Sequence, residues 1–207
     1  MKTPGTLLAI EGIDGTGKTT LQHALARHWR ALGLSVVELR EPSRTAWGTR
    51  ARRASGKDPW TAALAFTDDR RHQRGRLERA LSQDAVVLLD RSFYSTLAYQ
   101  GSALSPARRR TLERLQVDAT RVPDRVVLLD VPLATSNARM EQRGQAREPT
   151  EHAAVLERAA RAYRRMAHQP GWLVLDARRP TEELVEQLDR RWTPWLLRRH
   201  RRPRARA

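Results

Sequence analysis

Apolar residues in this chain gather in short continuous runs, separated by longer stretches of mixed character. The runs are Thr6–Ile10, Leu34–Leu39, Ala85–Asp90, Arg125–Asp130 and Trp172–Asp176. Runs this short and this unbroken suit strands covered on both faces, as in a parallel sheet. Between them lie helical patterns at Thr20–Leu32, about Trp60–Leu81, about Pro106–Arg121, Leu133–Gln142, Glu151–Met166 and Thr181 to about Trp192. Gly33 stops the first pattern, Gly56-Lys57-Asp58-Pro59 breaks the chain before the second, and Pro123-Asp124 introduces the fourth strand. The last helix opens on Glu182 and Glu183 and closes on arginines, which suits its dipole. The arginine-rich stretch Thr45–Ser55 receives no element, and Gly144–Thr150 reads as a polar loop. Strand and helix alternate with no internal repeat or linker, so residues 1–207 are expected to form one α/β domain.

The first strand and first helix enclose Gly12-Ile13-Asp14-Gly15-Thr16-Gly17-Lys18-Thr19, which fits the phosphate-loop pattern. Glycines at three positions let successive N–H groups turn into one concavity, and the following helix presents its positive end to it. Gly12, Ile13, Asp14, Gly15, Thr16, Gly17, Lys18, Thr19 and Thr20 are therefore the candidate ATP site. Lys18 would reach the β- and γ-phosphates, and the Thr19 hydroxyl would ligate Mg²⁺. The bland alternative, a glycine turn with a solvated lysine, does not ask for these flanks. The expected fold is a three-layer phosphate-loop NTPase fold: a five-stranded parallel sheet flanked by helices, with ligands at its carboxyl edge.

Charge adds a second theme. Lys and Arg total 39 against 23 acids, a formal net charge of +16, yet only Lys2, Lys18 and Lys57 are lysines. The arginines lie scattered along helix faces without interleaved aromatics, which argues against a nucleic-acid platform and for arginines kept for anionic substrates. The densest run, residues 198–207, reads as a solvated basic tail. Cysteine is absent, which excludes disulfides and thiolate metal sites. No signal-peptide pattern and no apolar run of about 18 residues is present, so a cytoplasmic, non-membrane protein is expected.

Further chemistry-bearing groups fall near the carboxyl ends of the strands. Asp90 follows a buried strand, where it could hold Mg²⁺ directly or through water while Arg91 beside it grips a phosphate, or the two could form a strand-end salt bridge. Arg44, after the Arg40-Glu41-Pro42 turn, either projects toward a second anion or stands solvated. Phe66 and Arg70 share a helix face at i, i+4, forming either a nucleobase pocket or a core aromatic beside an ion pair. Ser95, Thr96 and Tyr99 recur at helical spacing and either line a pocket or pack a helix. Arg139, Arg143 and Arg147 border the polar loop, either as the mobile lid that phosphoryl transfer requires or as a basic solvated helix.

From Thr6 to Met166 this pattern resembles the thymidylate kinase family. The resemblance rests on Ile10–Thr20, Arg40-Glu41-Pro42, Phe66–Arg70, Asp90-Arg91, Ser95–Gly101 and Pro123-Asp124. It implies ATP and Mg²⁺, the latter held by Thr19 and Asp90, and dTMP as phosphoryl acceptor. It implies Phe66 stacked on thymine, Arg70 on its exocyclic oxygen, Ser95 or Thr96 near N3, and Tyr99 against the sugar 2′ position. Arg44 and Arg91 would grip the dTMP phosphate, and Asp14 would approach the 3′-hydroxyl. The phosphate loop carries no arginine, so a lid about residues 143–150 would supply the catalytic one, Arg143 or Arg147, alongside Lys18 and Arg91. A homodimer is implied. The chain departs from the common pattern at Ser92, at Ser43-Arg44, and at Ala146-Arg147-Glu148-Pro149. The alternatives are a related kinase for another nucleoside or monophosphate, and a non-catalytic nucleotide-binding protein.

Overall fold

A computed structural model describes residues 5–142, 144 and 149–200. In chain order the elements are β1 (Thr6–Glu11), α1 (Lys18–Ala31), β2 (Val36–Arg40), α2 (Ala46–Ala54), α3 (Pro59–Ser82), β3 (Val86–Asp90), α4 (Phe93–Tyr99), α5 (Pro106–Ala119), β4 (Arg125–Asp130), α6 (Leu133–Glu141), α7 (Pro149–Met166), β5 (Trp172–Asp176) and α8 (Thr181–His200). All strand pairs are parallel, in the order β2-β3-β1-β4-β5. From β1 the chain therefore crosses to the edge strand β2, returns through β3 beside β1, and then steps outward on the other side through β4 to β5.

Both sheet faces are covered, which is why the strand sequences are apolar throughout. On one face Leu8, Ile10, Val86, Leu88, Val127 and Leu129 meet Leu21, Leu25 and Trp29 of α1 and Leu188, Trp192 and Leu196 of α8. On the other, Leu7, Val87 and Leu89 meet Leu77, Ala80 and Leu81 of α3, while Leu128 meets Leu156 and Tyr163 of α7. Each fully buried large side chain contributes about 1.5–3 kcal/mol, so the sheet and its two helical layers form one cooperative core. Gln22, buried among apolar neighbours, donates to Leu39 O at 2.6 Å and Leu88 O at 2.8 Å, which ties α1 to β2 and β3 near their ends.

Four local expectations change, the first being that the stretch read as a loop to Thr150 gives its last two residues to α7, which begins at Pro149. The second strand starts at Val36 rather than Leu34. The unassigned Thr45–Ser55 stretch contains α2. The last helix runs through Pro194 to His200, so Arg198, Arg199 and His200 are helix and not tail. Proline removes one helix hydrogen bond, but Leu196 is fully buried beyond it and the His200 ring bonds Thr6 Oγ1 at 2.8 Å and Asp84 O at 3.0 Å. Residues 201–207 lie outside the described residues. Among the described residues no helix is long and apolar enough to cross a membrane.

Candidate active site

Gly12, Gly15 and Gly17 all have positive φ, at 146°, 76° and 90°. A Cβ at Gly12 would stand 2.6 Å from Leu129 O, and one at Gly15 would stand 2.6 Å from Ser136 O, so backbone conformation and space both demand glycine there. No side chain caps α1. Its first-turn N–H groups face the loop, the arrangement that attracts a phosphate. Ile13 packs its side chain into the core and contributes its carbonyl, which accepts from Lys18 Nζ at 2.6 Å and from Thr16 Oγ1 at 3.0 Å. Burial lowers the Lys18 ammonium pKa to about 8, with Arg91 adding to the effect. Thr20 is exposed on α1.

The Thr19 hydroxyl donates to Asp90 Oδ2 at 2.5 Å. Two hard oxygen donors thus meet beside the loop, a donor set that fits Mg²⁺ held largely by phosphates and water. Among the described residues no cluster of three or more acids and histidines offers a protein-only metal cage.

Across Asp14 from the loop lies a cavity of about 680 Å³, lined by Glu41, Pro42, Arg52, Phe66, Arg70, Arg91, Ser95, Thr96 and Tyr99 among others. Arg70 is 2% exposed and held on both edges. Its Nε and Nη2 donate to Glu41 Oε2, its Nη2 reaches Thr96 Oγ1 at 3.3 Å, and its Nη1 donates to Gln116 Oε1. Those bonds use four of the five guanidinium N–H groups, and among the described residues the fifth, on Nη1, has no hydrogen-bond partner. The ion pair exists and fixes an arginine that lines the cavity, whereas Phe66 is half-buried and lines the cavity rather than packing in a core cluster of the described residues. Desolvation raises the Glu41 pKa, opposed by Arg70.

Arg91 enters from the end of β3 in left-handed backbone, φ 67°. Its Nη2 pairs with Asp14, its Nη1 contacts Ser95 Oγ at 3.2 Å, and its guanidinium covers the Tyr99 ring at 5.3 Å. Burial pushes the Tyr99 hydroxyl above its ordinary range.

Arg44 stands apart from this group. It is exposed and does not line the cavity. The turn that carries it is pinned elsewhere, because Ser43 donates from N and Oγ to Asp69 on α3. Arg52 lines the cavity instead, two helical turns on, with Nη1 bonded to Ser43 O at 2.9 Å. Its helix was the stretch without an element. Read as a helix, the stretch places Gly48 and Ser55 on the face of Arg52 at i−4 and i+3, but nothing along the chain says which way that face turns. Arg139 on α6 donates to Ala177 O at 2.9 Å and lies outside the cavity. Arg143 and Arg147 lie outside the described residues. Sequence reasoning also assigned no role to Glu11, Gln116 or Tyr163, whose partners are remote in sequence.

A phosphate-seeking loop and an arginine-lined cavity therefore share the carboxyl edge of one parallel sheet, which defines a phosphate-loop nucleotide kinase. A family model described as thymidylate kinase matches residues 10–188. The chain is 38% identical over 192 residues to a thymidylate kinase of Xanthomonas campestris pv. campestris (strain B100), covering 89% of this chain and 82% of the relative. It is 37% identical over 191 residues to one from Xanthomonas oryzae pv. oryzae (strain PXO99A), covering 90% and 82%. A thymidylate kinase of Xylella fastidiosa (strain M12) matches at 40% over 144 residues, 68% and 65% of the two chains. The chain belongs to the thymidylate kinase family.

Proposed function

We propose that the protein transfers the terminal phosphoryl group of ATP to dTMP, giving ADP and dTDP. The observation that carries this reading is Arg70: a buried guanidinium, clamped by Glu41, that keeps one N–H for a ligand beside Phe66 in the cavity facing the phosphate loop. Such a group suits a base carbonyl, and Phe66 suits the base face. Arg52 and Arg91 then take the acceptor phosphate, and Tyr99 packs on the sugar. The acceptor phosphate is already anionic at neutral pH and needs no strong base, so the protein's work is positioning and charge stabilisation. Lys18 and the loop amides offset charge on the donor phosphates. Mg²⁺, when bound, neutralises phosphate charge, and Thr19 and Asp90 are the residues that would hold it. The lid arginines Arg143 and Arg147 are proposed to complete the charge stabilisation. Asp14 holds Arg91 and stands at the 3′ side of the acceptor. A cytoplasmic homodimer completes the proposal.

A panel of nucleosides and nucleoside monophosphates with radiolabelled ATP tests this. dTMP is expected to be the preferred acceptor. Arg70→Ala is expected to raise the dTMP KM at least tenfold and leave the ATP KM within twofold. Preference for another monophosphate, or equal losses for both substrates, would overturn the base-site assignment.

A further inference from the structure

Glu11 and Tyr163 are buried polar groups with no place in the reaction described so far. Glu11 is fully buried at the end of β1, immediately before the phosphate loop, and does not line the cavity. Tyr163 is 1% exposed and projects from α7, the helix that follows the lid segment. The two meet at Ser95. Tyr163 OH lies 2.9 Å from Glu11 Oε2 and 2.7 Å from Ser95 Oγ, and Ser95 Oγ lies 2.7 Å from the same carboxylate oxygen. The other carboxylate oxygen is filled by Ser92, through its N–H at 2.7 Å and its hydroxyl at 2.6 Å.

This triangle touches Arg91. Ser95 Oγ accepts from Arg91 Nη1 at 3.2 Å, so its own proton must go to Glu11 or to Tyr163. The Tyr163 ring also stands edge-on to Tyr99 at 6.4 Å, and Tyr99 underlies the Arg91 guanidinium. Tyr163 thus supports Arg91 twice, by its hydroxyl through Ser95 and by its ring through Tyr99. On the opposite side Arg91 Nη2 pairs with Asp14, whose side chain is 42% exposed. An incoming phosphate can compete for Nη2 at that wetter edge while the Nη1 edge stays fixed. Burial raises the Glu11 pKa, and the surrounding hydroxyls oppose the rise, consistent with a carboxyl whose purpose is to hold neighbours.

We propose that Tyr163 and Glu11 are positioning residues of the phosphoryl transfer: through Ser95 they fix the Nη1 edge of Arg91, and Tyr163 thereby ties α7 to the acceptor-phosphate grip. The inference rests on the proposed acceptor site. Neither residue touches substrate.

A double-mutant cycle tests it, with dTMP kinase activity of the full-length protein as readout. Tyr163→Phe keeps the ring and removes the hydroxyl. It is expected to lower kcat about tenfold, to leave the ATP KM within twofold, and to leave the melting temperature within a few degrees. In the Arg91→Ala background the same change is expected to lower kcat less than twofold further, because its target is gone. An equal tenfold loss in both backgrounds would mean a general structural role and overturn the proposal, as would a Tyr163→Phe enzyme with unchanged kcat. A readout independent of turnover is the Arg91 Nε–H signal in the nitrogen-15 NMR spectrum. It is expected to shift in Tyr163→Phe and to hold in Tyr94→Phe; no shift in Tyr163→Phe overturns the proposal even if the acceptor is not dTMP. A wild-type enzyme that ignores dTMP, together with that shift in Tyr163→Phe, would sink the acceptor assignment alone.

Discussion

Arg91 and Lys18 carry opposite physical problems. Arg91 holds a left-handed backbone, φ 67°, that costs a non-glycine residue on the order of 1 kcal/mol, and it does so to aim its guanidinium across the cleft. Lys18 must keep a charge while buried, and its ammonium has a pKa of about 8. Below that value the group is charged and attracts phosphates; above it the proton is lost and so is the attraction. kcat/KM for ATP, which reports the free enzyme, is therefore expected to fall as pH rises through about 8. Bound phosphates restore the charge, so kcat at saturation should fall only at higher pH. A pH profile of both parameters checks this, and identical profiles would remove Lys18 as the cause. The cavity arginines are separable in the same way. Arg52→Ala is expected to raise the dTMP KM at least tenfold with the ATP KM within twofold, whereas Arg44→Ala changes both by less than twofold. Steady-state kinetics of the two variants decide between them.

Helix α2 is positioned by a contact that only glycine permits. A Cβ on Gly48 would fall 2.0 Å from Ser43 O, on backbone that cannot yield without moving the Glu41-Pro42 turn. Gly48→Ala is therefore expected to shift α2, withdraw Arg52, and weaken dTMP binding at least tenfold by calorimetry, although residue 48 does not line the cavity. The other long-range tie belongs to α8. His200, at its end, bonds Thr6 Oγ1 and Asp84 O at the amino edge of the sheet. Removing a buried, bonded side chain costs about 1–3 kcal/mol. His200→Ala is expected to lower unfolding free energy by about that amount in urea, and to leave both substrate KM values within twofold. This explains why a helix with an internal proline and an arginine-rich end continues: its last turns are held from outside.

Two anion-seeking regions on one sheet edge make the molecule a linkage device. A ligand at a hundredfold excess over its Kd adds about 2.7 kcal/mol to stability. ATP and dTMP are each expected to raise the melting temperature of the wild-type protein. In Lys18→Ala the ATP increment should shrink toward zero while the dTMP increment persists. Calorimetric melts check this, and loss of both increments would show that the substitution had damaged the fold.

Much of this was legible in the chain. The five strands announce themselves because a strand covered on both faces must be apolar at every position, and the glycine loop announces itself because its conformation excludes side chains. Those are local requirements, written in adjacent residues. Arg70 and Phe66 could be named as a pair, since helical spacing places them on one face, but only the folded chain supplies Glu41 and Gln116 to hold Arg70 from segments remote in sequence. That Arg52 rather than Arg44 lines the cavity was likewise not legible, because it depends on which side of the Ser43 turn α2 packs. The Glu11–Ser95–Tyr163 triangle joins β1, α4 and α7 across residues no periodicity connects. Element type and the phosphate loop follow from neighbours along the chain; the partners of each charged group follow from which distant segments the parallel sheet brings to one edge.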